Sequence, residues 1–335
     1  MPIRKDVFIV LVILMLGGLV FFGFLIYQEK NIVNQQIKNP IVKQEKTYPK
    51  DLKGIAYLTL KEKEGISLRE DKNSYGLYKF DFKEGKLVEE YLVENCQILG
   101  GEFDLTAEKM LISQDCNQEN QDQVYAIDRE EKLTKITNSA SSFKKEATWS
   151  DDGKKIAFMS TSEENPTLNI NSWDIVVSGL KGNEEKITTG AHPFFSPDGK
   201  KVLFLKNNGI NLVDIETKEE ESYYQFNADV TFQLDLSPLK DRLVISDPEN
   251  KNIKIFKINS WENFSLEKIQ EIKTPNSEIS WPKFSPYDNK YLIYEELFND
   301  GVIELAVYDL ENLKRYTASD LSFYEHGYMW INNWR

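Results

Sequence analysis

The sequence has few of the residues and none of the short motifs on which most enzyme active sites depend. Its 335 residues include two cysteines and two histidines. It has no Gly-x-Ser-x-Gly elbow, no phosphate-binding loop, no His-Glu-x-x-His sequence and no Cys-x-x-Cys pair. These absences argue against the common hydrolase, nucleotide-binding and zinc-dependent classes, so we predict no catalytic residues, no cofactor and no metal site.

Positive charge is scarce relative to negative charge. The chain has 41 lysines and arginines against 54 aspartates and glutamates, and its formal net charge is −13. Proteins that bind nucleic acid usually present a basic patch or stripe to the phosphates. Because no such stripe stands out, nucleic acid is not predicted as a partner.

One stretch is long and apolar enough to cross a membrane. Val7 to Tyr27 has 21 residues without a charge, which as a helix matches the roughly 30 Å of a bilayer's hydrocarbon core. Arg4 and Lys5 precede it, so the positive-inside rule places residues 1–6 in the cytoplasm and the rest of the chain outside. The rival interpretation is a cleaved signal peptide, whose apolar run is shorter, about 7–15 residues, and ends at a small-residue cleavage site. We expect an uncleaved signal anchor, a single transmembrane helix at residues 7–27 in the cell membrane.

The segment after this stretch is polar and has no hydrophobic period. Residues 28–50 are rich in Gln, Asn and Lys and contain Pro40 and Pro49. This composition is typical of a linker. We predict a stalk that leads to one domain at residues 51–335.

A repeated hairpin organises that domain, and its clearest copy lies at residues 194–205. Phe194 and Phe195 end one apolar run, Ser-Pro-Asp-Gly at residues 196–199 can form a tight turn, and Val202 lies in the next run. Four further copies, two of them degenerate, keep the same order. The five turns begin at Thr106, Ser150, Ser196, Ser237 and Ser285.

The spacing of the copies predicts the architecture. Successive turns begin 44, 46, 41 and 48 residues apart, which with about four short strands per unit is typical of a β-propeller blade. The strand at residues 54–60 has no turn before it, and the C-terminal strand at residues 328–334 has none after it. If these two strands pair, they complete a sixth blade and close the ring. The turn aspartates Asp152, Asp198 and Asp288 are predicted to be structural, since Asp commonly hydrogen-bonds to its own turn.

These hairpins resemble the WD-like propeller repeat of the TolB family, in which an aromatic residue, Ser-Pro-Asp-Gly-Lys and a hydrophobic strand follow one another. The resemblance covers roughly residues 51–335 and implies an all-β, six-bladed propeller. It also implies a scaffold that binds a protein or peptide in the cell envelope and is not an enzyme. Because the same repeat occurs in the propellers of oligopeptidases, two alternatives stay open: a hydrolase or lyase with a site at the channel mouth, and a propeller that gates a separate peptidase. The oligomeric state is left open.

Five residues are predicted to lie on a partner-binding face around the channel mouth. The longest loops, those between second and third strands, should gather there. Asn171 and Phe298 belong to these loops, Trp173 directly follows one of them, and all three are expected to be exposed. His192 and His326 lie on two first strands, which line the channel of a propeller, and are expected at its rim.

Cys96 and Cys116 are predicted to form a disulfide. The turn of their hairpin is centred near Thr106, the midpoint of the two positions, so the two residues should face each other across adjacent antiparallel strands. A disulfide suits a domain outside the cytoplasm. The alternative is a pair of buried thiols.

Overall fold

The computed structural model describes residues 49, 51–62, 75–91, 96–103, 109–116, 123–128, 130, 132–138, 142–162, 170–226, 233–247, 250–275, 277–298, 303–318 and 326–334. Backbone contacts divide the chain into two units, Met1–Glu45 and Lys46–Arg335. The first unit, with the predicted anchor, lies outside the described residues.

The described residues form strands that pair into antiparallel, four-stranded sheets. The first eleven are β1 Ile55–Glu62, β2 Tyr75–Asp81, β3 Lys86–Tyr91, β4 Cys96–Phe103, β5 Lys109–Cys116, β6 Gln123–Asp128, β7 Leu133–Lys135, β8 Phe143–Trp149, β9 Lys155–Thr161, β10 Asp174–Gly179 and β11 Glu184–Thr189. The others are β12 Ala191–Phe195, β13 Lys201–Lys206, β14 Gly209–Asp214, β15 Glu220–Gln225, β16 Gln233–Leu236, β17 Arg242–Asp247, β18 Asn252–Ser260, β19 Ser265–Lys273, β20 Ser277–Phe284, β21 Tyr291–Phe298, β22 Ile303–Asp309, β23 Lys314–Thr317 and β24 His326–Trp334.

Five of the sheets are blades built from four consecutive strands each: β4–β7, β8–β11, β12–β15, β16–β19 and β20–β23. One more four-stranded sheet is composite, with the order β24-β1-β2-β3, because the C-terminal strand pairs with β1 from Ala56 and Trp334 to Glu62 and His326. The innermost strand of each sheet contacts the innermost strands of both neighbouring sheets, so these strands form a closed ring. The described chain is therefore an all-β propeller.

The predicted fold class, a six-bladed propeller preceded by a transmembrane helix, needs a correction in both parts. The described residues form five blades of consecutive strands and not six, since the sheet β24-β1-β2-β3 is composite. A transmembrane helix is expected ahead of the propeller, but no helix in the described part of the chain is long and apolar enough to span a membrane. The helical element found there is one 3-10 turn of three residues, Ile170–Ser172. Residues 7–27 themselves lie outside the described residues.

The hairpin turns show why the repeat contains serine and aspartate. Ser196 Oγ donates a hydrogen bond to the Asp198 carboxylate (2.6 Å) and accepts one from the Lys201 N–H (3.0 Å). The turns that begin at Ser150, Ser237 and Ser285 have the same two bonds, with carboxylates from Asp152, Asp241 and Asp288. The serine hydrogen bond lowers the pKa of both Asp152 and Asp198. The turn aspartates are thus structural, as predicted.

Each of these turns also contains a residue in the left-handed region. Gly153 and Gly199 both have φ 66°, and Asn289 has φ 52°, so Asn289 takes the position that glycine holds in the other two turns. Lys240 occupies the position in the remaining turn with φ 53°. A side chain larger than Asn seldom adopts this conformation, which makes the Lys240 turn unusual.

The core lies between neighbouring sheets. The apolar residue that ends a first strand packs on the preceding sheet, as Trp149 does against Leu111 and Phe195 does against Ala157. Both aromatic side chains are buried. Because side chains alternate along a strand, the residue just before this core position points away from that contact.

Candidate functional site

In four of the sheets, the residue just before the core position is charged or carries a hydroxyl group. These residues are Glu102 on β4, Thr148 on β8, Asp235 on β16 and Lys283 on β20. They lie on the innermost strands of their sheets, and the charges of Lys283 and Asp235 both act on Glu102 from other sheets. Together with Glu146 and His192, which belong to the same inner ring of strands, we call these residues the channel cluster.

Asp235 and Lys283 form an ion pair between neighbouring sheets. Lys283 Nζ donates to Asp235 Oδ1 (2.9 Å), and the Phe284 N–H donates to Asp235 Oδ2 (3.2 Å). Burial raises the pKa of the Asp235 carboxyl, and the Lys283 charge opposes that rise. The pair therefore joins β16 to β20, and each charge is largely neutralised by the other.

Glu146 and His192 form a second pair between neighbouring sheets. Each lies at a bulge of its strand, with φ of 54° and 53°, and a bulge re-aims the side chain it carries. His192 Nδ1 lies 2.6 Å from Glu146 Oε2. Burial acts to raise the pKa of Glu146, the charge of His192 acts in the opposite direction, and on balance the pKa is lowered. Trp281 occupies a third such bulge, with φ 52°.

Glu102 is the carboxyl of the channel cluster that has no ion-pair contact among the described residues. Its side-chain partner is the Thr148 hydroxyl. Burial raises the pKa of Glu102 to about 7, although the Thr148 hydrogen bond and the Lys283 charge act in the opposite direction. One group of the cluster can therefore gain or lose a proton near neutral pH.

The channel cluster has the chemistry of a polar binding site with one titratable carboxyl. Two of its carboxylates are paired with His192 and Lys283. No group of three or more His, Cys, Asp or Glu side chains in the described residues is arranged to hold a metal ion. Apart from Glu102, the charged groups in the cluster hold neighbouring sheets together.

Trp173 is buried, and the expectation that it is exposed is wrong. Its side chain is 2% exposed and packs with Ala191 and Leu205 of the next blade, while Lys145 Nζ lies 4.4 Å from its ring centroid. Trp173 directly precedes β10 and therefore lies where the chain enters the sheet, not out in the loop. Asn171 is exposed, and its Oδ1 accepts a hydrogen bond from the Asn207 N–H (2.8 Å).

The other three predicted site residues lie in different surroundings. His192 is buried inside the channel cluster rather than exposed at a rim. Phe298 is half-buried at the end of β21, with the Arg315 guanidinium 5.8 Å from its ring centroid. His326 begins β24 opposite Glu62, and its side chain lies outside the described part. Asn171 and Trp173 lie close together on the chain, and Phe298 lies in another sheet; a shared binding face stays a prediction.

Cys96 and Cys116 pair with each other in the register of β4 and β5. The predicted register is therefore confirmed. The two side chains lie outside the described part of the structure, and the disulfide itself stays a prediction.

The hairpin turns carry a second candidate site. Five large apolar side chains are exposed in the described residues, and four of them lie in hairpin turns at one end of the sheets: Leu180, Leu239, Tyr287 and Leu313. Leu239, Tyr287 and Leu313 are exposed by 66%, 68% and 65%. We call these three residues the tip surface.

The turns that hold the tip surface are bonded to each other. Asn289 Nδ2 donates to Asp241 Oδ1 (2.7 Å), and Arg242 Nη1 donates to the Asn289 carbonyl (3.2 Å), which links the Leu239 and Tyr287 turns. Lys290 Nζ lies 3.6 Å from the Glu311 carboxylate, which links the Tyr287 and Leu313 turns. The three apolar side chains therefore stand on a connected framework.

Sequence reasoning missed both sites, although each has a signal. For the channel cluster, the signal is the polar residue before the core position of a first strand, as at Glu102 and Asp235. For the tip surface, it is the third turn residue, which is Asp198 in the regular copy but Leu239 and Tyr287 in two departing copies. A departure from a repeat marks a position that the fold does not fix.

No protein-family model and no curated protein matches the chain, but solved structures match it in fold. TolB from Acinetobacter baumannii matches with a TM-score of 0.63 and 17% identity, over 86% of this chain and 68% of that one. A nidogen/laminin complex matches with a TM-score of 0.55 and 11% identity, over 78% and 92%. An oligogalacturonate lyase in complex with manganese matches with a TM-score of 0.53 and 13% identity, over 72% and 70%.

At these identities the likeness shows the fold alone, a TolB-like β-propeller. The similar structures include TolB and a lyase, so the fold does not decide between binding and catalysis. The decision depends on the side chains of this chain.

Proposed function

We propose that this chain is a propeller that binds a protein or peptide partner in the cell envelope through the tip surface. It is attached to the membrane through Val7–Tyr27, with residues 1–6 in the cytoplasm and the propeller outside. The observation that carries the proposal is the exposure of Leu239, Tyr287 and Leu313 on turns that are bonded to each other.

The tip surface has the properties of a contact site for another protein. Exposed apolar area releases about 25 cal/mol per Å² when a partner covers it, and clustered exposed apolar groups commonly mark interaction sites. Aromatic side chains, such as that of Tyr287, are enriched among the residues that contribute most to binding. Because the turns are already held in place, little conformational entropy is lost when a partner binds.

The N-terminal segment joins the propeller at the tip end. The Tyr291 hydroxyl contacts the Asp51 carboxylate (3.0 and 3.1 Å), and Lys290 Nζ lies 3.2 Å from it. These residues border the turn that carries Tyr287. Asp51, which lies shortly before the first strand, is therefore held beside the tip surface.

The similar structures support the same class of function. TolB is the neighbour with a TM-score of 0.63, and another neighbour was solved as a complex of two proteins, nidogen and laminin. This support rests on the shared fold alone. The tip surface is the feature of this chain itself that favours partner binding.

The proposal is tested by removing the apolar groups from the tip surface. The variant is Leu239→Ser/Tyr287→Ser/Leu313→Ser, and the control is Leu180→Ser/Ile269→Ser, which removes two other exposed apolar side chains. The full-length chain is purified from its own membranes, and the retained proteins are quantified by mass spectrometry. We expect at least one envelope protein to be retained by wild type and control and reduced about tenfold in the triple variant. An unchanged set of retained proteins would refute the tip surface as the binding site.

The location is tested separately by protease accessibility. Protease added to intact cells, with any outer membrane permeabilised, should digest the propeller or the stalk at residues 28–50. Digestion only after lysis would show that the propeller lies inside.

One observation favours a second candidate function, catalysis in the channel. Glu102 has a pKa raised to about 7 and lies in the same channel as the His192 and Glu146 pair, and groups with shifted pKa values are common in active sites. A lyase is among the similar structures, so oligogalacturonate is the substrate to try first. Turnover that disappears in Glu102→Gln would favour this candidate, and no turnover in either chain would leave binding as the function.

A further inference from the structure

A cleft of about 490 Å³ lies between the blade β12–β15 and the blade β16–β19. Its walls include Phe226 from one blade and Asp247, Lys251, Asn252, Lys254 and Lys273 from the other. The turn at residues 247–252 joins the second strand of its blade to the third. The cleft is therefore at the end of the sheets opposite the tip surface.

The wall of this cleft is held by bonds that fix its shape. Asp247 is buried, and its carboxylate accepts hydrogen bonds from Asn250 Nδ2 (2.9 and 3.1 Å) and from Lys254 Nζ (2.7 Å). The Lys251 carbonyl accepts a hydrogen bond from the Thr274 N–H (2.8 Å). Burial acts to raise the pKa of Asp247, but the Lys254 and Asn250 hydrogen bonds outweigh it and lower the pKa, so the pair stays charged.

The positive charge in the cleft exceeds the negative charge. Three lysines line it, against the carboxylates of Asp247 and Glu271. Lys254 is paired with Asp247, and Glu271 is paired with Lys268. Lys251 and Lys273 make no ion pair with any described residue. In a chain of net charge −13, two lysines without partners beside one cleft attract an anionic group.

The cleft also offers apolar and hydrogen-bonding surface. Phe226 provides an aromatic wall, and Lys254 Nζ lies 5.3 Å from its ring centroid. Asn252 is 6% exposed, and its buried Oδ1 has no hydrogen-bond partner among the described residues. These groups suit a ligand that carries a carboxylate, an apolar portion and N–H donors.

We propose that this cleft binds an acidic peptide segment, with a side-chain carboxylate held between Lys251 and Lys273. A peptide is favoured over other carboxylates because Tyr224 and Gln225, at the end of β15, also line the cleft. β15 is the last strand of its sheet, so one of its edges pairs with no other described strand. Such an edge can add an extended peptide through backbone hydrogen bonds. This site is independent of the tip surface.

The test uses the full-length chain in detergent and two fluorescein-labelled peptides, Gly-Ser-Glu-Phe-Glu-Ser-Gly and the same peptide with Gln in place of both Glu residues. The variant is Lys251→Gln/Lys273→Gln. The control, Lys53→Gln/Lys257→Gln, removes the same charge from two exposed lysines elsewhere. Binding is measured by fluorescence anisotropy at low and high salt.

We expect the acidic peptide to bind wild type and control with similar affinity. This affinity should be about tenfold higher than that of the Gln peptide for wild type, and about tenfold higher than that of the acidic peptide for the cleft variant. The difference should shrink at high salt, since the contacts are exposed charges. Equal binding of both peptides, or equal loss in the variant and the control, would overturn the proposal. Binding of glucuronate that depends on Lys251 and Lys273, without peptide binding, would also overturn it, in favour of a sugar acid. A tip-surface variant should bind the acidic peptide normally, so failure of one proposal does not imply failure of the other.

Discussion

The turn at residues 196–201 and the turn at residues 237–242 contain the same hydrogen bonds but present different groups to solvent. In the first, Ser196 Oγ donates to Asp198, the third residue of the turn. In the second, Ser237 Oγ donates to Asp241, the fifth residue, so the third position is left to Leu239. Moving the carboxylate two residues along keeps the turn intact and exposes an apolar side chain.

The comparison shows which turn positions the fold needs. It needs the serine hydroxyl, a carboxylate within its reach and a residue that accepts a positive φ. It does not need a polar third residue, and the same is true of Tyr287 in the turn that begins at Ser285. Leu239 and Tyr287 of the tip surface therefore occupy positions that the fold leaves free.

The largest expected effect comes from a similar comparison between two neighbouring carboxyls on β21, one of which is hydrogen-bonded and one of which is not. Glu296 is bonded by Ser277 Oγ (2.5 Å) and Arg315 Nε (2.7 Å), whereas Glu295 Oε2 is buried with no hydrogen-bond partner among the described residues. Burial raises the pKa of Glu295 from 4.5 to about 8. A carboxyl whose pKa is raised in the folded state stabilises the fold only while it is protonated. The free energy of unfolding should therefore fall as pH rises from 4.5 to about 8, by on the order of 3–5 kcal/mol.

Glu295→Gln should remove most of this pH dependence, which denaturant unfolding between pH 5 and pH 8.5 would measure. A shallower slope should remain below about pH 7, because the pKa of Glu102 is raised from 4.5 to about 7. Glu296→Gln, the matched control, should instead lower stability without removing the slope. An unchanged slope in Glu295→Gln would mean that this carboxyl is not buried as described.

The hairpin of β4 and β5 lacks the regular turn sequence, and a disulfide would stabilise it instead. Its turn lies at residues 104–108, outside the described residues, and lacks the Ser-Pro-Asp-Gly sequence. If Cys96 and Cys116 are bridged, Cys96→Ala/Cys116→Ala should lower the free energy of unfolding by about 2–4 kcal/mol. Unfolding with and without reductant measures this, and stoichiometric thiol labelling of the denatured, unreduced native protein would rule the bridge out.

The regular and the departing turns should respond alike when the serine is removed. Ser196→Ala and Ser237→Ala each delete a buried hydroxyl that bonds a carboxylate and a backbone N–H, so each should cost about 1–3 kcal/mol. Ser222→Ala, at an exposed serine, should stay within about 0.5 kcal/mol of wild type. A cost confined to Ser196→Ala would show that the two turns do not depend on the same bonds.

The smallest of these effects concerns the left-handed position. Gly199 has φ 66° and only a Ser150 contact at 3.9 Å near an added Cβ, so Gly199→Ala should destabilise by about 1 kcal/mol through backbone conformation alone. Gly179 has an ordinary φ and open space around it, and Gly179→Ala should be neutral or slightly stabilising. Equal melting temperatures for both variants would contradict the assigned turn conformation.

The strands could be predicted from the sequence because the repeat is local. The pairing of Cys96 with Cys116 follows from the position of one turn. The side-chain contacts could not be predicted in this way. His192 meets Glu146 because both strands bulge at left-handed residues that are not glycine, and nothing in their sequence shows this. Trp173 is buried because the next blade covers it, which depends on how neighbouring sheets pack.

The claim that the tip surface binds protein is tested most directly by photo-crosslinking in the membrane-bound, full-length chain. A photoreactive p-benzoylphenylalanine is placed at position 287 or at position 198, the corresponding site of the regular turn. We expect position 287 to yield a discrete adduct with one envelope protein, weakened by Leu239→Ser in the same chain, and position 198 to yield none. Equal adducts from both positions, or no adduct from position 287, would contradict the proposed role of the tip surface.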